Sequence, residues 1–368
     1  MNAPPRMTAQ LLHVGPHRGA HRVAARVAVS VLVPLLALWS AGHLELSIYA
    51  TFGAFTSLYG RNHAGLSRAQ MQTVLAVALT VSVVLGVTVG LSAQRSWWAI
   101  PVAAVVAAGG SLLSDAQDWH PPGPLFLVFA FAACASVPSR PSDVGWSALV
   151  AGTSALFSLV VGSAGSAVRH LGSRHPASRS ATPRRSRATV ARGHAAQRSV
   201  AQRSVPQSSV AQRSVARRHL ARNAGSVLVS GGLATAVGIG HPYWAMVSAV
   251  VPLAARDVRS QVVRGVHRVA GTLLGLGLAA LLLAVDLADL VLILVITTLQ
   301  AAAELLVGRN YALALVAITP LALLMVHLVS AVPAGALLLD RGVETVIGVA
   351  VGLLVGWLTR SRTAAGRA

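Results

Sequence analysis

The 368-residue chain is 54% hydrophobic and only 11% charged, with a mean hydropathy of +0.65. A soluble domain carries about a quarter charged residues, so this sequence has too little polar surface to cover a water-soluble particle of its size. The net charge of +20 rests on thirty basic residues, all arginine, but thirteen of these crowd between Arg169 and Arg222 rather than spreading over a folded face, which sets aside a globular nucleic-acid-binding domain.

Apolar runs fall near 23–41, 46–60, 70–92, 97–113, 122–138 and 144–163. They are continuous and long enough for roughly 30 Å of hydrocarbon, without the alternation of a barrel strand, and so predict membrane helices. The first run follows Arg6, Arg18 and Arg22 and imitates a signal peptide. It is longer than an h-region of roughly 7–15 residues and no small-x-small cleavage site follows, so it reads as a retained helix. On the second run, Tyr49, Phe52, Thr56 and Tyr59 are spaced i, i+3, i+7 and i+10, one face of a helix. Such a face would suit a planar aromatic acid by stacking and hydrogen bonding; interfacial belt and packing roles are the alternative. The single cysteine, Cys134, has no partner for a disulfide and reads as a small buried hydrophobe.

Residues 165–221 are rich in Arg, Ser, Ala, Gln and His, with a pentad repeat starting at Ala196 and Ala201 and returning at Ala211. A period of five fits neither a helix nor a strand face, and the segment has too little apolar area to offset the entropy of ordering. It is predicted to be a disordered linker that associates with anionic lipids, at about 1 kcal/mol per arginine near the surface. Nucleic acid is disfavoured as its partner for want of aromatic residues to stack on bases. A passive tether is the other reading.

Six further apolar runs follow near 222–239, 242–255, 268–285, 288–307, 311–330 and 341–358. With the N-terminus inside, twelve spans leave only Arg95, Arg140 and Arg341 outside, the asymmetry that the positive-inside rule demands. Gly42-His43 and Gly240-His241 recur at an offset of 198, and Arg61 and Arg259 follow each histidine at the same distance. The expectation is an all-α polytopic membrane protein of about 12 transmembrane helices in two parallel six-helix repeats: a first half over 1–164, the basic linker over 165–221, a second half over 222–358 and a tail over 359–368. The plasma membrane, with both termini and the linker cytoplasmic, is the matching location.

The second half carries distinctive motifs. They are His241-Pro242-Tyr243-Trp244, then Arg268-x-x-Gly271-Thr272-x-x-Gly275, Arg309-Asn310-Tyr311-Ala312-Leu313-Ala314, and Arg341-x-x-Glu344-Thr345-x-x-Gly348. Four such motifs in this order resemble the fusaric-acid-resistance (FUSC) family, which includes the aromatic acid exporters. The first half resembles a diverged copy, keeping the layout from Tyr49 to Gln72 but lacking the Gly-Thr-x-x-Gly and Tyr-Ala-Leu-Ala elements. Larger family members place a folded cytoplasmic domain between the halves, where this chain has its arginine-rich linker. The resemblance implies export of small organic, aromatic-acid-like anions.

Several side chains are singled out for that task. Tyr243, Trp244 and Arg268 join the helix-two face as candidates for the substrate path, against interfacial belt and snorkelling roles. Gly271 and Gly275 have the small-xxx-small spacing of close helix packing. Glu304 and His327 are ionisable residues inside expected spans, and such residues are functional suspects. Glu304 could carry a proton or pair with Arg309, whereas Arg341 and Glu344, three apart, are expected to pair with each other. No Walker motif, nucleophile–base set or metal cluster is present in the sequence, so no cofactor, metal or enzymatic activity is expected. A passive organic-anion channel and a non-transporting scaffold acting through the linker are the alternatives, and a homo-oligomer formed through open-sided halves is compatible with either.

Overall fold

Where no water reaches the backbone, its hydrogen bonds must close within the chain, and the described residues do this as helix alone, without a strand. The computed structural model describes residues 7–16, 19–60, 66–172, 209–255, 257–329 and 332–360. The first group of helices is α1 (Met7–Leu12), α2 (Ala20–Ser40), α3 (Ser47–Ala54), α4 (Leu66–Gly90), α5 (Arg95–Gln117), α6 (Leu125–Ser136) and α7 (Pro141–Gly172). The second is α8 (Ser209–Ala236), α9 (Tyr243–Leu253), α10 (Val258–Leu283), α11 (Asp289–Val307), α12 (Tyr311–Val329) and α13 (Ala334–Leu358). A 3₁₀ turn, Leu44–Leu46, precedes α3 and another, Phe55–Leu58, extends it.

Among the described residues, α2, α4, α5, α7, α10, α11 and α12 are long and apolar enough to cross a membrane, seven in all. Apolar α6 and α9 are shorter, at 12 and 11 residues. Eleven residues rise only about 17 Å, roughly half a bilayer core. Such a helix has to be sunk in protein, and Tyr243 through Pro252 of α9 are all buried.

Helix pairings recur between the two groups. α3 packs on α7 as α9 packs on α13, and α4 packs on α6 as α10 packs on α12. The groups are laced together by α5 on α8 and by α11 on α2. Lipid offers no hydrophobic drive between helices, so close approach over small residues supplies the contact. Gly53 of α3 lies against Ala151 and Ser154 of α7, while Gly348 and Gly352 of α13 lie against Ala245 and Ala249 of α9. Gly271 and Gly275 of α10 meet Ala312, Leu315 and Thr319 of α12, the packing role their spacing suggests.

Helices α2 and α8 end alike. Gly42 (φ 75°) and Gly238 (φ 78°) adopt the left-handed conformation. The next N–H returns five residues, His43 to the Leu38 carbonyl and Ile239 to that of Ala234, a Schellman-type cap. Gly42 is therefore matched by Gly238, not by Gly240 as an offset of 198 would have it. Arg61 lies outside the described residues.

Two boundaries differ from expectation. Residues 165–172 and 209–221, assigned to a disordered linker, continue α7 and α8 as helix. A helix already nucleated in a span propagates readily into a polar extension. The remainder of the linker, 173–208, lies outside the described residues. Helix α13 also starts at Ala334, earlier than its apolar run, and this takes Arg341 from an outer loop into the protein. Exposed Trp39, Trp97, Trp98 and Trp146 cluster near helix ends instead, where an aromatic belt belongs. Cys134 is buried and free.

Candidate functional site

The start of a helix leaves backbone N–H groups without partners, and α9 begins inside the protein, where water cannot supply them. Glu344 of α13 does so: its carboxylate accepts the N–H of His241 at 3.0 Å and that of Trp244 at 3.1 Å. One turn earlier, Asp340 lies 2.7 Å from the ring Nδ1 of His241. The His241-Pro-Tyr-Trp motif and the acidic position of α13 thus form one joint, with negative charge at the positive end of a helix.

With Glu344 so engaged, Arg341 is left without the partner expected from their spacing. It forms no ion pair with a described carboxylate, and it is 1% exposed. Its guanidinium lies over the Trp244 ring, 3.7 Å from the centroid, a cation–π contact. Its Nε and Nη1, and the Nε1 of Trp244, are buried donors with no acceptor among the described residues. Arg268, 3% exposed in the third turn of α10, likewise forms no ion pair with a described carboxylate. It donates to the Ser248 hydroxyl at 3.2 and 3.3 Å and to Tyr311 at 3.4 Å, so it is buried rather than snorkelling at the surface. Arginine stays charged in any protein environment, and an uncompensated buried cation costs several kcal/mol.

Both guanidiniums and Trp244 line a cavity of about 1200 Å³ between the two groups of helices. Phe126 and Phe129 of α6 form its aromatic wall, with Phe129 5.4 Å from Trp244. Glu304 and Arg309 line it as well. The N-terminal segment closes over one end: Asn310 Nδ2 donates to the carbonyls of Leu11 and His13, each at 3.2 Å, and His267 Nε2 lies 3.0 Å from the Leu11 carbonyl. Arg309 Nε donates to the Gly15 carbonyl at 3.2 Å, an engagement the expected pairing with Glu304 did not anticipate. Asn310 also caps α12 by accepting the N–H of Ala312 at 2.9 Å. Outside the spans, the Ser260 N–H holds the Asp257 carboxyl below its ordinary range where it caps α10.

The structure sorts the sequence-derived residues. Trp244, Arg268, Glu304, Arg309 and Arg341 share the cavity. Phe52 lines a smaller apolar space beside it, which Glu304 also borders. Tyr49, Thr56, Tyr59 and Tyr243 line neither, and Glu344 acts through α9. The expected helix-two face does not hold because every residue from Ser47 to Leu58 is buried and the helix tightens to 3₁₀ at Phe55. Tyr59 packs instead on Trp119 and Phe126. Tyr243 and Trp244, 2% and 1% exposed, are not belt residues. His327 is exposed in the last turn of α12, not deep in a span. Asp340, Ser248, Phe126 and Phe129 carried no sequence signal, the phenylalanines being indistinguishable from any others in an apolar run.

Comparison with known proteins agrees with the motifs. Residues 228–355 match the fusaric acid resistance protein-like family. A Bacillus subtilis (strain 168) protein described as the uncharacterized membrane protein YvaC is 26% identical over 110 residues, 30% of this chain and 17% of that relative. The match thus spans less than a fifth of the relative's length. No solved structure matches. The chain is a multi-pass helical membrane protein whose residues 228–355 are similar to the fusaric acid resistance protein-like family.

Proposed function

We propose that the protein is a secondary transporter that exports small organic anions, aromatic carboxylates among them, through the cavity between its halves. The observation that carries this reading is Arg341: a buried cation with two unused donors, stacked on an aromatic ring and facing a cavity large enough for a metabolite. A carboxylate there would supply the missing counter-charge, and Trp244 with Phe126 and Phe129 would receive a ring. Arg264, His267 and Arg309 near one end would draw anions towards it.

The recurring helix pairings and the matched caps at Gly42 and Gly238 support the finer architecture, twelve spans in two parallel repeats. In such an arrangement the halves rock about a central site. The arginine-rich ends face the cytoplasm of the plasma membrane in this reading, and the linker lies along anionic lipid. Glu304, an acid lining the cavity, is the residue assigned to proton coupling.

Proteoliposomes loaded with benzoate test the reading. An imposed pH gradient is expected to accelerate benzoate flux at least about fivefold, and Glu304→Gln to remove the acceleration while leaving exchange between equal benzoate pools. Flux that ignores pH and follows voltage alone would make the protein a channel, and absence of protein-dependent flux would sink transport altogether.

A further inference from the structure

The polypeptide before α2 lies over one mouth of the cavity. Its α1 rests on α10, and Gln10 and His13 form part of the cavity wall with Arg264, His267 and Arg309. The segment is held by its backbone. The Leu11 carbonyl faces His267 Nε2 at 3.0 Å and accepts from Asn310 Nδ2 at 3.2 Å, and the His13 carbonyl accepts from the same Nδ2 at 3.2 Å. Two residues on, the Gly15 carbonyl accepts from Arg309 Nε at 3.2 Å, and the Gly15 N–H donates to the Arg309 carbonyl at 2.9 Å. Apolar anchoring is slight: Gly15 is the one buried residue of 7–16, while Leu12 and Val14 are exposed. A typical hydrogen bond shifts an equilibrium by only about fivefold once water competes for its partners, and the entropy of ordering the segment acts against the set. Segments with so few buried apolar contacts are the first to open. The same carbonyls occupy His267 and Arg309, the groups that an arriving anion meets at this mouth.

We infer that residues 7–16 are an autoinhibitory plug. Seated, they close this mouth and hold its imidazole and guanidinium with backbone carbonyls; released, they admit the ligand. Because the grip is on the backbone, the plug is set by where the carbonyls fall, at every second residue from 11 to 15, more than by its side chains.

Access to the cavity tests this without assuming any ligand. In nanodiscs, the full chain carrying Cys134→Ser and Val250→Cys, the latter on the cavity wall, is modified with an anionic methanethiosulfonate and the rate is measured. Two changes are made in that background: deletion of residues 2–16, and Gly15→Pro, which removes the N–H donated to Arg309. Each is expected to raise the rate at least about tenfold, and an amidated peptide of residues 7–16 is expected to slow the deletion variant again. The flux arm rests on the transport reading: in proteoliposomes both variants are expected to pass benzoate at least about fivefold faster than the native protein. Size-exclusion chromatography identifies a variant that fails to fold, and the full-length Gly15→Pro protein covers the loss of the deletion. Unchanged modification rates in the folded variants overturn the plug, whatever benzoate does. Faster modification without benzoate flux in any variant would keep the plug and sink the transport reading instead.

Discussion

Arg341→Met will bind benzoate at least about 30-fold more weakly than the native protein and will unfold at the same temperature or higher. Removing one partner of a buried, hydrogen-bonded charge pair costs about 2–5 kcal/mol, and 2 kcal/mol is already about 30-fold. Stability should move the other way. Arg341 is a buried cation with no carboxylate partner among the described residues, and replacing buried ionic groups with apolar side chains of similar size is often neutral or stabilising by about 1–4 kcal/mol. The lost contact with Trp244, worth about 0.5–2 kcal/mol, offsets part of that gain. Were Arg341 a structural strut, the substitution would lower the thermal midpoint and weaken binding only through misfolding. Titration and thermal unfolding on one preparation separate the two, and a falling midpoint with unchanged affinity would refute the assignment.

The second large effect is at the joint between α9 and α13. A methyl group on Gly348 would sit 2.2 Å from the Ala245 carbonyl oxygen and 2.7 Å from Ser248 Cβ, and the first of these is backbone that has no rotamer to escape into. Gly348→Ala must therefore push α13 away from α9, which stretches the hydrogen bonds from His241 and Trp244 to Glu344 and lifts Arg341 off the indole. Overpacking alone costs about 1–3 kcal/mol. The two helix-capping bonds to a carboxylate, about 1.5–3 kcal/mol each, are strained with it. The variant is expected to lose most of its monodisperse peak in size-exclusion chromatography. Gly335→Ala on the same helix, where a methyl meets nothing within 4 Å, is the control and should elute like the native protein. Equal behaviour of the two variants would mean that the α9–α13 contact does not hold the site.

Much of this was legible in the sequence because lipid imposes simple rules. Continuous apolar runs had to be helices, but the runs at α3 and α9, expected to span the membrane, are short helices sunk in protein. The motif order His241-Pro-Tyr-Trp, Arg268, Arg309-Asn310-Tyr311 and Arg341-x-x-Glu344 named most of the residues that converge. Their partners were not legible. Spacing of three along a helix proposes an Arg341–Glu344 pair, but the unpaired N–H groups at the start of α9 compete for the carboxylate, and that competitor is about a hundred residues away in sequence. Periodicity likewise proposed an aromatic face on α3, which no pattern can define when all sides of a helix are buried. The pentad repeat concealed the start of α8, since local composition says little about a helix that a neighbouring span has already nucleated.

A crystallographic anomalous difference map of the protein soaked with 4-iodobenzoate decides whether an organic anion sits at Arg341. One carboxylate is expected within hydrogen-bonding distance of Arg341, with the iodine peak on the Phe126–Phe129 side of the cavity. Iodine peaks confined to the arginine-rich surface at saturating ligand, with the space around Arg341 unchanged, would contradict it.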